Sequence, residues 1–209
     1  MSVATREALL PPRLVIATRN RGKLREFERL LRGHEWRLLS LADVKYEQPI
    51  NEPGPGYVDN ALAKATVVCA ATGLPVLADD SGIEVDALRG WPGPASARWL
   101  SGSDEDRLAG LLEEVARRSP DDRRVRYVCV VAFARPGAEP ITARGECLGT
   151  LVEPQGTRGF GYDPSFLSAD LGVAFGIADD AAKDRVSHRA RAVRRLGEAG
   201  VLDPRSAHV

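Results

Sequence analysis

Residues 125–133 read VRYVCVVAF, and beyond Arg126 the apolar side chains fall on odd and even positions alike. Successive side chains of a strand point to opposite faces. A strand of this kind needs cover on both faces and belongs in the middle of a sheet. Pro136-Gly137 turns the chain toward a second extended run, residues 141–148. Two long strands paired in this way imply a sheet that is not purely parallel. Shorter apolar runs at 14–17, 36–39 and 75–78 read as further buried strands, with helices between them. The fold class expected is therefore α/β, around a mixed sheet.

The helices announce themselves by their ends. Asn20 suits an N-cap, and Leu24, Phe27, Leu30 and Leu31 follow on one face, with Gly33 at the exit. Residues 49–56 hold three prolines and two glycines and read as a loop. An alanine-rich helix is expected over 59–72, ending near Gly73. Ser103 followed by Asp106 is a capping-box variant, and Leu108, Leu111, Leu112 and Val115 form the stripe that helix buries. A last helix is expected over 187–199. Residues 1–12 read as a flexible extension and 203–209 as a tail, leaving 13–202 as the folded domain.

At 209 residues the chain has room for one sizeable domain or two small lobes. Lys and Arg total 29, as do Asp and Glu, so no global field favours nucleic acid or a membrane surface. No apolar run is long enough to span a bilayer. Cys69, Cys129 and Cys147 include no C-x-x-C pair and read as buried, reduced thiols of a cytoplasmic protein.

Four stretches carry chemistry. The first is TRNRGK, 18–23, after a short strand. A Walker loop would need glycine at Ala17 and a hydroxyl at Leu24, so this is not one. Thr18 and Asn20 still offer donors, Arg21 and Lys23 add charge, Gly22 permits close backbone approach, and a helix N-terminus follows. Those are the parts of an anion site, although a plain capped helix would read the same. The second is LADDSGIEVDAL, 77–88, with Asp79 and Asp80 expected at the end of a strand, Ser81-Gly82 as a turn, and Glu84 and Asp86 continuing the acids. Carboxylates there suit Mg²⁺, which takes hard oxygen ligands. The third is GTRGFGYDPSF, 156–166, where Phe160 or Tyr162 offers a stacking face for a base. The fourth is KDRVSHRARAVRR, 183–195, with Ser187 as a cap and His188 and Arg189 in the first turn of a basic helix.

Taken in order, ATRNRGKLREF, ADDSGIEVDAL, WPGPASARW, GFGYDPSF and SHRARAV are similar to the motifs of the inosine triphosphate pyrophosphatase (Ham1-like) family. The resemblance covers about residues 13–200. It implies an elongated, two-lobed α/β fold with a long mixed sheet, a nucleotide cleft between the lobes, and a homodimer. The implied activity is Mg²⁺-dependent hydrolysis of ITP, dITP and XTP to monophosphate and pyrophosphate, which cleanses the nucleotide pool.

Carried over by motif, residues 18–23 (Thr18, Arg19, Asn20, Arg21, Gly22 and Lys23) would hold the triphosphate. Asp80 would accept the proton and ligate Mg²⁺, with Ser81 near the substrate. Glu52 would be the second metal acid. Phe160, Gly161, Tyr162 and Asp163 would frame the base, and Lys183, His188 and Arg189 would contact base and phosphates, with Lys23 and Arg189 stabilising the transition state. Arg19 departs from the small residue of many members, and Ala190 from the usual glycine after SHR. Two alternatives compete: a Maf-like pyrophosphatase acting on other nucleotides, and a non-catalytic nucleotide sensor that would not need Asp80.

Overall fold

The structure is a computed structural model and describes residues 11–52 and 54–205. Most of the expected 1–12 extension, and the end of the 203–209 tail, lie outside the described residues. Strand β1 (Arg13–Ile16) leads into helix α1 (Arg21–Leu30), then β2 (Arg37–Ser40), α2 (Tyr57–Thr72) and β3 (Val76–Val85). Helix α3 (Asp104–Arg118) precedes the long pair β4 (Arg124–Ala134) and β5 (Ile141–Leu151). Strand β6 (Phe166–Ser168), helix α4 (Asp180–Val186) and helix α5 (His188–Glu198) follow. The sheet order is β2-β1-β3-β4-β5-β6. The pairs β2-β1 and β1-β3 are parallel, whereas β3 to β6 are antiparallel. The sheet is mixed, as the strand pattern requires.

The two-faced apolar strand is central and covered on both sides. From β4, Val128, Val130 and Ala132 pack with Ala61, Ala65 and Val68 of α2. Cys129, Val131 and Phe133 face the other way, toward Phe27 of α1, Leu31 just past its end, and Val193 and Leu196 of α5. A third cluster forms the other lobe, where Leu108, Leu111 and Val115 of α3 meet Ile83, Val125, Tyr127, Phe166 and Phe175. All three cysteines are buried and free. No helix among the described residues is long and apolar enough to cross a membrane.

The caps stand where the side chains call for them. Asn20 accepts from the Lys23 N–H at 3.0 Å, Ser103 and Asp106 make a reciprocal capping box, and Ser187 accepts from Ala190. Each such cap stabilises by about 1 kcal/mol. Gly73 ends α2 in the left-handed region, but α1 ends at Leu30, before Gly33.

One expectation is overturned. Ser81-Gly82 is not a turn, and Asp79 and Asp80 do not end a strand: β3 runs unbroken to Val85, paired with β4 from Val76↔Ala134 to Val85↔Val125. The acids sit mid-sheet because buried partners hold them: Lys23 and Arg189 meet one Asp79 oxygen, whose companion oxygen has none, and Lys64 and Asn60 meet the two Asp80 oxygens. Gly82 serves close approach, since a Cβ there would lie 2.0 Å from the Gly93 carbonyl oxygen. The short β6 and α4 carry too little periodicity to be read from sequence.

Candidate active site

The long strand β3 is the floor of the site. Adjacent residues on it point to opposite faces, so Asp79 turns toward α1 and α5 while Asp80 turns toward α2. The turn from β1 into α1 brings Asn20 and Lys23 over this floor. Ser96 and Arg98 arrive from the chain after Gly93. The loop at 160–163 brings Phe160 from the second lobe, and α4 and α5 bring Lys183, His188 and Arg189. Together these groups line a cleft that opens to solvent.

Two ion-pair networks underlie the cleft. The first is closed. Arg189, 1% exposed, donates to Glu26, to Asp79 at 2.9 Å and to Ser81 at 2.8 Å. Lys23 meets the same Asp79 oxygen at 3.0 Å. Lys183 reaches Glu26 at 2.7 Å and Asp163 at 2.5 Å. Asp163 also accepts from the Phe160 N–H at 2.8 Å and the Tyr127 hydroxyl at 3.3 Å. Lys23, Lys183 and Arg189 thus balance Glu26, Asp79 and Asp163, charge for charge. Burial alone would raise the Asp79 carboxyl, but Lys23, Arg189 and Lys64 outweigh it and hold the group well below the usual carboxylate range. Burial likewise opposes ionisation of Glu26, yet Arg189 and Lys183 bring it down to about 2.

The second network opens to solvent. Lys64 of α2 lies 2.7 Å from Glu52 and 3.1 Å from Asp80. Asn60, one helical turn earlier, donates to the other Asp80 oxygen at 3.0 Å. Arg98 pairs with the free oxygen of Glu52, and its side chain is 46% exposed. Here burial wins at Asp80: it raises the carboxyl above its ordinary value, against the pull of Lys64, Asn60 and Lys23. A carboxyl shifted upward at a cleft floor is the form a general base takes.

Of the residues expected from sequence, Asn20, Lys23, Glu52, Asp80, Ser81, Phe160, Gly161, Tyr162, Asp163, Lys183, His188 and Arg189 line the cleft together. Thr18, Arg19, Arg21 and Gly22 stand beside it. Thr18 accepts from the Asn20 N–H, and Arg19 donates to the carbonyls of Tyr46 and Gln48, tying down the chain that leads to Glu52. Arg21 is exposed. Gly22 lies under the Phe160 ring, where a Cβ would come within 2.5 Å of a ring carbon. His188 is stacked on Tyr127, centroids 4.5 Å apart, and burial holds its imidazole neutral, well below its ordinary pKa.

Glu26, Asn60, Lys64, Arg98 and Asp104 are the members that sequence reading missed. A signal existed for three of them. Glu26 adjoins Phe27 on the inward side of α1, and Asn60 and Lys64 are an i,i+4 polar pair among the alanines of α2.

This cleft can be set against known proteins. The Ham1 family model matches residues 14–199. The chain belongs to the Ham1 family. A dITP/XTP pyrophosphatase of Symbiobacterium thermophilum is 47% identical over 187 residues, covering 89% of this chain and 93% of that protein. One from Geobacter sulfurreducens is 44% identical over 187 residues, covering 88% and 94%. Among solved structures, a Ham1 protein of Coxiella burnetii superposes with a TM-score of 0.80 at 33% identity, covering 90% of this chain and 98% of that one. The matched span of the Ham1 family holds every cleft residue named above.

Proposed function

We propose that this chain is a nucleoside triphosphate pyrophosphohydrolase that converts ITP, dITP and XTP to the monophosphate and pyrophosphate. The family supports the reaction class, and its similar members named dITP/XTP pyrophosphatases support the substrates. One observation carries the reading: Asp80, raised in pKa, faces the cleft beside Glu52 and opposite the Asn20–Lys23 turn.

Asp80 and Glu52 share the Lys64 ammonium, which sets two carboxylates side by side at the open end of the network. Mg²⁺ is commonly held by one or two carboxylates, with substrate phosphates and water completing its shell. No cluster of three or more His, Cys, Asp or Glu able to hold a metal occurs among the described residues. A pair of carboxylates fits a cation whose remaining ligands come from the nucleotide and water, and Asp80 and Glu52 would hold it. When bound, Mg²⁺ supplies neutralisation of charge on the phosphate oxygens.

The protein's own groups do the rest. Each Asp80 oxygen already accepts one hydrogen bond, from Lys64 or Asn60, and keeps a second lone pair. That lone pair orients the attacking water and takes its proton. Lys23 has further N–H donors beyond the one on Asp79, and they meet phosphate oxygens as charge develops. Phe160 offers its ring to the base. Hypoxanthine and xanthine carry an acceptor at position 6 where adenine carries a donor, so donors facing that position would be left unpaired by adenine. That mismatch costs about 1–3 kcal/mol per group. We further propose a homodimer, which light scattering on the purified chain tests, and a cytoplasmic location, which cell fractionation tests.

The deciding experiment is a substrate panel of ITP, XTP, dITP, GTP and ATP with Mg²⁺, separating pyrophosphate from orthophosphate. Pyrophosphate release with ITP and XTP far ahead of ATP and GTP is expected. Orthophosphate release, or tight nucleotide binding without turnover, overturns the proposal, and the second of these makes the chain a sensor.

A further inference from the structure

The loop that carries Phe160 is gripped from two sides. Inside, buried Asp163 accepts from the Phe160 N–H at 2.8 Å and is fixed by Lys183. Outside, the first turn of α3 reaches the next residue: Asp104 Oδ2 accepts from the Gly161 N–H at 3.0 Å. Its other oxygen is held by Arg107 at 2.6 Å, and Arg107 is anchored in turn on the Gly102 carbonyl at 2.7 Å. Both Asp104 and Arg107 line the cleft. A carboxylate that accepts from a backbone N–H is a charge-assisted bond, stronger than one between neutral groups. Gly161 is also the link between Phe160, whose ring rests over Gly22, and Tyr162, whose hydroxyl donates to the Ser96 carbonyl at 2.7 Å. Losing the Asp104 bond frees the outer side of the loop while the inner side stays fixed. The ring then loses its register, whereas the phosphate turn, on α1 in the other lobe, does not.

We infer that Asp104 is a positioning residue for the base: it sets the Phe160 ring by latching the Gly161 N–H. The inference deepens the proposed function and rests on the reading that Phe160 carries the purine. The Asp104 side chain is 44% exposed, so its replacement spares the core.

The test compares Asp104→Ala and Asp104→Asn in the full chain. Asp104→Ala should raise KM for ITP about tenfold with kcat within about twofold. Inhibition by inorganic tripolyphosphate, which has no base, should be unchanged. Asp104→Asn keeps a carbonyl acceptor and should restore KM to within about twofold of the parent. Hydrogen exchange at residues 159–163 should quicken in Asp104→Ala alone. An unchanged KM, a parallel loss of tripolyphosphate affinity, or an asparagine variant as poor as alanine overturns the latch. If the parent chain ignores ITP, the proposed function fails; the exchange measurement then still decides the latch, quickening in Asp104→Ala supporting it and unaltered exchange refuting it.

Discussion

The two ion-pair networks under the cleft are built from the same residue types and do different work. The network of Arg189, Glu26, Asp79, Lys183 and Asp163 is shut away from water, and with Lys23 at its edge its charges cancel. The network of Asp80, Lys64, Glu52 and Arg98 is open at one end, and Glu52 and Arg98 reach solvent there. Adjacent residues of β3, Asp79 and Asp80, fall into different networks only because a strand alternates its faces. Their titration diverges accordingly: Asp79 is locked as an anion, and Asp80 is shifted upward. The lesson is that a closed network holds geometry, and an open one can exchange its partners for a ligand.

The sharpest way to break the comparison is to swap one oxygen of Asp80. Asp80→Asn removes the proposed proton acceptor and keeps the shape. A fall in kcat of about 10²–10⁴ is expected, the contribution usual for a positioned general base, with an unchanged circular dichroism spectrum. Turnover near the parent level would move the base to another group and dissolve the distinction between the two acids.

Stability should answer in the opposite sense. Glu26→Ala strips the carboxylate from between Lys183 and Arg189 and leaves buried charge uncompensated. About 3–5 kcal/mol of stability should be lost, read as a lower urea midpoint. Glu52→Ala removes a half-exposed partner and should change stability by less than about 1 kcal/mol. Equal losses from the two variants would mean that the open network is as structural as the closed one.

The contact between lobes allows a finer cut. Gly22→Ala adds a Cβ 2.5 Å from a Phe160 ring carbon. Alanine is the better helix former by about 1 kcal/mol, yet the ring must move, at a cost of about 1–3 kcal/mol. KM for ITP should rise severalfold in steady-state assays while kcat is nearly kept. An unchanged KM would show that the ring's seat on Gly22 does not matter for the base.

Much of this was legible in the sequence, for physical reasons that differ from place to place. Asn20, Ser103 and Ser187 mark their helices because a cap is a local contact between residues three apart. The centre of the sheet was legible because β4 is apolar on both faces. The second half of β3 was not, since acids and a glycine read as breakers until their partners are known, and those partners lie far along the chain. Arg189 looked like an anion receptor on a basic helix. It lines the cleft and is also paired there with buried acids, and no local pattern reveals a pair formed across more than a hundred residues. Lys64 is a different case: its partners Glu52 and Asp80 lie only 12 and 16 residues away, and its i,i+4 spacing from Asn60 was a local signal.

His188 supplies the last and smallest test, through pH. Its imidazole is buried against Tyr127 and stays neutral in the folded chain. Below about pH 6.5 an unfolded histidine takes up a proton and this folded one does not. Its contribution to stability is therefore whole above about 6.5 and is lost as pH falls, by about 1.4 kcal/mol per pH unit. Glu26 and Asp79 act in the same direction, but only below the ordinary carboxylate values near 4. The upward-shifted Asp80 and Asp163 oppose the trend, since a folded carboxyl that gains its proton early favours folding in acid. Comparison with His188→Phe cancels all four, because that variant keeps a ring on Tyr127 and differs only at the imidazole. Urea unfolding between pH 7 and pH 5 should show the parent falling more steeply than the variant. Parallel curves would mean that His188 is charged in the folded chain, and that the closed network carries one more cation than its acids balance.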